Sequence, residues 1–201
     1  MKHPNIKFPD KLLPYKGVIL FAVVMMLSNF FWKYNVLGDE AKTNDSIVTL
    51  WGLDISAPFV FMAHHVANFS KNLLHFVGSM VTLETGNILR HGNGCSVQIV
   101  WACTGLKQAY ICFCILAFAR GSWLKKLWYI PLSLLVVYTF NIFRITFIVA
   151  CIENHPHWFH FLHLYAFKYI FYGIIFLMWA FWEEKIAGKE ELKTKTDIAD
   201  V

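Results

Sequence analysis

The sequence predicts an all-α polytopic membrane protein of about four transmembrane helices, with an outer surface amphipathic helix and a short β-hairpin leading into one of the spans. Three observations carry this reading. The 201 residues are 57% hydrophobic and 17% aromatic but only 15% charged, which is more apolar material than a soluble core of this length requires. The apolar residues fall in runs near the length that crosses a hydrocarbon layer of ~30 Å. The lysines and arginines behind the net charge of +5 gather at the ends of those runs. That placement is a topology signal, so the lipid bilayer, and not nucleic acid, is the partner the charge implies.

The elements follow in order. Met1 to Lys16 carries Lys2, Lys7, Lys11 and Lys16 against Asp10, which predicts a cytoplasmic flank. An apolar run over residues 17–36 follows. No small-residue cleavage site succeeds Asn29-Phe30-Phe31-Trp32-Lys33, so the run is expected to be an uncleaved anchor leading outward. Residues 38–55 are polar, with Asp39, Glu40, Asp45 and Asp54, and are expected outside. Ser56 offers an N-cap and Pro58 suits a first turn. Phe59, Met62, Val66, Phe69, Leu73 and Phe76 then form an apolar stripe at helical spacing. His64, His65, Asn68, Lys71, Asn72 and His75 take the other face, so this helix is expected to lie on the membrane surface or pack on other helices.

From Val81 the pattern turns to β. One arm is expected over 81–89, a turn over Arg90-His91-Gly92-Asn93-Gly94, and a second arm over 95–102 that delivers Cys103 to the membrane. Spans are expected over 104–119, 127–152 and 163–182. Arg120, Lys125 and Lys126 mark a cytoplasmic loop, and Glu153 to His160 an outer linker. Residues 1–182 thus form one integral-membrane domain, and the charged stretch 183–201 is expected to be a solvated cytoplasmic tail. Both termini are predicted inside.

This topology brings three reactive side chains to the outer face: Cys103 at the start of span two, Arg144 near the outer end of span three and His163 at the start of span four. A thiol in the first turn of a helix feels unpaired N–H groups that favour the thiolate, and Lys107, one turn on, adds to this. An arginine within a membrane segment is costly and faces a polar cavity or a partner. At ~1.5 Å per residue Arg144 lies ~27 Å from the Lys126 end of its span. Asn141 stands three residues before Arg144 on the same face and is read as a supporting residue. Among the outer histidines, His163 is chosen because it begins a span, with His160 in reserve. Cys112 and Cys114 fall inside span two as packing residues. Cys95 and Cys151 both fall near the outer side, where a disulfide between them is an open alternative.

Ala102-Cys103-Thr104-Gly105-Leu106-Lys107 resembles the Ala-Cys-Ser/Thr-Gly-Leu signature of the exosortase/archaeosortase family, and Asn141-Ile142-Phe143-Arg144-Ile145 resembles its Asn-x-x-Arg-Ile/Val signature. His163 stands where that family has a histidine at the start of the next helix. The similarity covers residue 85 to about residue 176, in what resembles a compact member with about four spans in place of eight. The resemblance implies a membrane-embedded cysteine protease or transpeptidase with Cys103, Arg144 and His163 as its catalytic residues. It implies an acyl-thioester intermediate and no cofactor. Its substrates would be secreted proteins ending in a short motif, a membrane helix and a basic end, cleaved at the outer face of the cell membrane.

A second class stays open at this level. The outer histidines could form a metal or haem site in a membrane electron-transfer protein, although no Cys-x-x-Cys-His or HExxH spacing is present. A structural partner in a secretion complex is a third reading. It leaves a charged Arg144 at membrane depth unexplained.

Overall fold

The computed structural model of the protein describes residues 15–38 and 47–188. The lysine-rich leader, the acids Asp39, Glu40 and Asp45, and residues 189–201 of the expected tail lie outside the described residues. The chain forms α1 (Lys16–Asn35), a first sheet of β1 (Val36–Gly38), β2 (Val48–Leu50) and β3 (Leu53–Asp54), then α2 (Ser56–Phe76). A second sheet of β4 (Val81–Glu84), β5 (Ile88–His91) and β6 (Ser96–Gln98) leads through a tight turn into α3 (Leu106–Phe118) and α4 (Trp123–Asn154). A last continuous helix, α5, runs from Pro156 to Ala187.

Three of these helices are long and apolar enough to cross a membrane: α1, α4 and α5, with mean hydropathy 1.5, 2.0 and 1.6. The expected second span, α3, has only 13 residues, about 20 Å at ~1.5 Å per residue. Its two ends are held against α4 at the levels of Lys126 and Asn141. At one end Lys126 on α4 caps its last turn, its Nζ donating to the carbonyls of Ala117 at 2.8 Å and Ala119 at 2.5 Å. Beside that cap Arg120 pairs with the buried Glu183 of α5 at 2.7 Å, and the Trp182 indole donates to the Arg120 carbonyl. The other end of α3 reaches Asn141 of α4.

Several boundaries differ from expectation. The hairpin is a three-stranded antiparallel meander, because Thr85 and Gly86 both take positive φ, 46° and 79°, and fold the first arm back on itself. Within residues 38–55, expected as polar outer loop, lie β2 and β3 of the first sheet, which turn through Trp51 and Gly52 at positive φ. The outer linker is nearly absent: α4 continues to Asn154, and only His155 separates it from Pro156, the first residue of α5. His163 therefore lies two turns inside a helix and does not start one. Residues 183–187, expected in the free tail, prolong α5 in π geometry with Glu183 buried.

The buried face of α2 is also rotated from the expected stripe. Phe59 and Val66 are inside, but the rest of the face is Ala63, Ala67, Ser70 and Leu74, while Phe69 and Phe76 point outward. Small side chains allow α2 to pack close against α4, which accounts for the burial. The second sheet is pinned to the same helix, since the buried His91 donates from Nε2 to the Val149 carbonyl at 2.9 Å.

Three apolar clusters result. One joins α2, the second sheet and the later half of α4, including Val66, Leu89, Ile99 and Ile148. A second fills the bundle of α1, α3, α4 and α5 around Ile111, Ile115, Phe171 and Trp182. A third, smaller one sets Val36 and Val48 of the first sheet against Phe59. Cys103 belongs to the first cluster, its neighbours Trp101 and Leu106 pack on the third, and Phe140 touches both of the larger ones. The candidate site lies where the three meet.

Candidate active site

Residues 101–103 make a single 3-10 turn. Thr104 closes it, its hydroxyl donating to the Trp101 carbonyl at 2.7 Å. Gly105 follows at φ 81°, in the left-handed region that ends the turn before α3 begins at Leu106. Cys103 is thus ahead of the helix, not in its first turn, and the expected help from the helix dipole and from Lys107 at one turn's distance does not apply. Lys107 instead lines a cavity with Trp32, Lys33, Val36, Trp101 and Ala102.

The group that faces the thiol comes from α4. Arg144 is 7% exposed and lies within electrostatic range of the buried Cys103. Asn141, one turn earlier on the same helix and fully buried, donates from Nδ2 to the Cys103 carbonyl at 3.0 Å. The contact is close enough that a Cβ on Gly105 would stand 2.9 Å from Asn141 Cγ. Only glycine meets both the positive φ and the space left by that amide.

His163 enters from α5. Arg144 Nη2 is 3.4 Å from His163 Nδ1. A guanidinium can only donate, so Nδ1 must be the acceptor, and the imidazole is neutral with its proton on Nε2. The ring stacks on Phe159, with centroids 5.3 Å apart and planes 11° apart. A π-helical segment, Leu162–Ala166, carries His163 and shifts it out of the α-helical register of the residues that follow. His160 is exposed and contacts Tyr165, not Arg144.

Two buried atoms of this group find no hydrogen-bond partner: the Asn141 Oδ1 acceptor and the Arg144 Nε donor. Each orphan costs ~1–3 kcal/mol. An unmatched acceptor and an unmatched donor beside a thiol are the complement of a peptide group, which offers one N–H and one C=O.

The structure therefore gathers Cys103, Asn141, Arg144 and His163 in one place. Sequence reasoning missed Phe159 and the Gly105–Asn141 contact; the four-residue spacing of Phe159 and His163 was the available signal for the first. None of the cysteines is disulfide-bonded, Cys95 and Cys151 included. The histidines proposed as alternative ligands, His64, His65, His75, His155, His157, His160 and His163, have other partners: His65 meets the Tyr138 hydroxyl, His75 the Val81 carbonyl, and His155 and His157 the Trp158 ring. No group of three or more His, Cys, Asp or Glu side chains suited to a metal ion occurs among the described residues.

Comparison with known proteins adds one finding. The model of the transmembrane exosortase family matches residues 47–182, a stretch that contains all four site residues. No curated protein and no solved structure matches the chain.

Proposed function

The chain belongs to the transmembrane exosortase family, and from that premise we propose that it is a cysteine protease or transpeptidase that cleaves C-terminal sorting signals of secreted proteins at the outer membrane interface. The observation that supports this most is the position of Arg144, in reach of both Cys103 and His163.

The proposed reaction runs as follows. Arg144 releases Nδ1, the one unprotonated nitrogen of the neutral His163, which takes the Cys103 proton as the sulfur attacks the scissile carbonyl and forms a C–S bond. Once Nδ1 and Nε2 both carry protons, neither can accept from Arg144. The guanidinium then turns to the nearest developing anion, the thiolate and then the carbonyl oxygen. The C–N bond breaks as the imidazolium gives its proton to the leaving amine, which leaves an acyl-thioester on Cys103. Water or an amine acceptor next attacks the thioester and loses its proton to His163, and as the C–S bond breaks the imidazolium returns that proton to the Cys103 sulfur. Asn141 holds the Cys103 carbonyl, and so the thiol, in place while its Oδ1 receives the substrate N–H.

In the proposed topology both termini are cytoplasmic, α3 is the second of four crossings, and the Arg120–Glu183 level faces the cytoplasm. The site then stands outside, just above the point where a substrate's own membrane helix would emerge.

The test is processing of a reporter carrying such a C-terminal signal in cells that hold the wild-type or the Cys103→Ala chain, together with labelling of intact cells by a membrane-impermeant thiol reagent. Loss of processing with Cys103→Ala, and labelling of Cys103 from outside, are expected. Undiminished processing by that variant would overturn the assignment of the nucleophile.

A further inference from the structure

The strand that delivers Cys103 lies at the edge of its sheet, and the two edges of that sheet differ. Bonds to β5 come from Cys95, Val97 and Ile99: the His91 N–H donates to the Cys95 carbonyl at 2.8 Å, and the Ile99 N–H to the Asn87 carbonyl at 2.9 Å. Antiparallel pleating turns the alternate residues the other way. The N–H groups of Ser96, Gln98 and Val100 and the carbonyls of Ser96 and Gln98 therefore face outward, and among the described residues none of them has a hydrogen-bond partner. On the opposite edge the register turns Val81 outward, and there His75 of α2 donates from Nε2 to the Val81 carbonyl at 2.7 Å. Open edges recruit a further strand unless charge, proline or a covering element blunts them. Residues 95–100 carry neither charge nor proline. Ser96 near the start of this segment and Ala102 just past its end are exposed.

The open edge leads to the thiol. At its start Cys95 pairs with His91, which is tied to the Val149 carbonyl, and past its end the Cys103 carbonyl is tied to Asn141. From Val149 to Asn141 is ~12 Å along α4 at ~1.5 Å per residue, so the segment descends from the outer end of that helix toward Cys103. A secreted protein that continues into a membrane helix passes the thiol in the same direction. Beside β6 it runs parallel, and in a parallel pair the two bonds of one residue straddle a residue of its neighbour. A substrate residue level with Val97 thus donates to the Ser96 carbonyl and accepts from the Gln98 N–H. The residue two further on does the same with the Gln98 carbonyl and the Val100 N–H.

We propose that the outer edge of residues 96–100 is the subsite for the part of the substrate ahead of the scissile bond, which adds to the sheet as a parallel fourth strand. The assignment rests on the cysteine-peptidase reading above and on its topology. Affinity comes from main-chain bonds, as in other strand-addition complexes, so the subsite takes an extended peptide and tolerates variation in its side chains. The edge is ~13 Å long at ~3.3 Å per residue, enough for roughly four substrate residues. Binding does not use the thiol, so the Cys103→Ala chain holds the same segment uncleaved.

The experiment uses the full-length chain in cell membranes, carrying Cys103→Ala to hold the substrate, Cys95→Ser to remove the neighbouring thiol and Ser96→Cys as the probe. It is produced together with the reporter described above, given a single cysteine at each successive position ahead of its membrane helix. Disulfide cross-links to the Ser96→Cys thiol are expected at alternate reporter positions, because strand neighbours share a face every second residue. Gln98→Pro removes an outward N–H and no bond to β5. In the chain that retains Cys103 it is expected to lower reporter processing roughly tenfold, the scale of one hydrogen bond lost with its partner left unpaired, while Cys103 is alkylated at the wild-type rate. Should Gln98→Pro also slow alkylation, Ser96→Pro, farther from the Cys103 turn, replaces it, with the same expected loss. Cross-links that are absent or equal at every position, or unchanged processing by the proline variant, would overturn the edge even where Cys103→Ala abolishes processing. Alternating cross-links with processing undiminished by Cys103→Ala would uphold the edge and overturn the nucleophile.

Discussion

Asn141 donates its side-chain amide to the Cys103 carbonyl at 3.0 Å across 38 residues of sequence. This bond joins the turn that carries the thiol to the helix that carries the arginine, and it passes over the one residue, Gly105, that has no side chain to block it.

Gly105→Ala is therefore expected to disable the site without removing a functional group. The left-handed backbone costs ~1–2 kcal/mol for a residue with a Cβ, and the new methyl displaces Asn141. Reporter processing should fall by about two orders of magnitude while the protein stays in the membrane fraction. Processing within about twofold of wild type would show that the Gly105–Asn141 contact does not matter.

Arg144→Lys keeps the charge and loses the planar fork that can serve ring, thiolate and oxyanion in turn. Removal of one such donor elsewhere costs ~10²–10³ in rate. Processing by Arg144→Lys should fall by at least tenfold and by Arg144→Ala by ~10²–10³, with alkylation of Cys103 at neutral pH slowed in the alanine chain. Equal alkylation rates in both variants and wild type would remove Arg144 from the thiol's environment.

The two histidines should part company. His163→Ala is expected to lose ~10²–10⁴ in processing, the range of a positioned proton donor, and His160→Ala to stay within a few-fold of wild type. Phe159→Leu, which removes the stacked ring but keeps an apolar side chain, should fall between them. A larger loss at His160 than at His163 would reverse the assignment.

At the start of α2 a pH response is expected from Asp54. Its carboxylate accepts from the Ser56 hydroxyl at 2.5 Å and the Ser56 N–H at 2.8 Å, and these bonds, the hydroxyl first, hold its pKa below the usual carboxylate value. A depressed pKa stabilises the folded form fully above the ordinary carboxylate value, and the effect is lost as pH falls through the lowered one. Amide exchange at residues 56–59, corrected for the intrinsic rate, should accelerate as pH drops through that window and be fast at all pH in Asp54→Ala. A flat profile in the wild type would contradict it.

Much of the architecture was legible before folding. Apolar runs with basic ends announce α1, α4 and α5, because a membrane segment must satisfy its backbone internally and keep its charges at its edges. Asn141 and Arg144 share a face by spacing alone. The sheet of residues 36–54 was hidden, since its strands of two or three residues are too short to show alternation. The inward face of α2 was misjudged because large apolar residues drew the stripe, whereas close approach to α4 selected alanines and a serine.

What the sequence by itself determined is the set of helices, their charged ends and the side chains available to a reaction. Tertiary structure alone decided which of those side chains meet. Local spacing could assign Lys107 to Cys103, but Gly105 turns the chain before the helix begins, so the thiol faces Arg144 while Lys107 turns to a cavity with Lys33. Likewise a π-helical segment and the stacked Phe159 set the direction of His163. Spacing describes neighbours along one helix, and this site is built from a turn and two helices whose approach is set by packing.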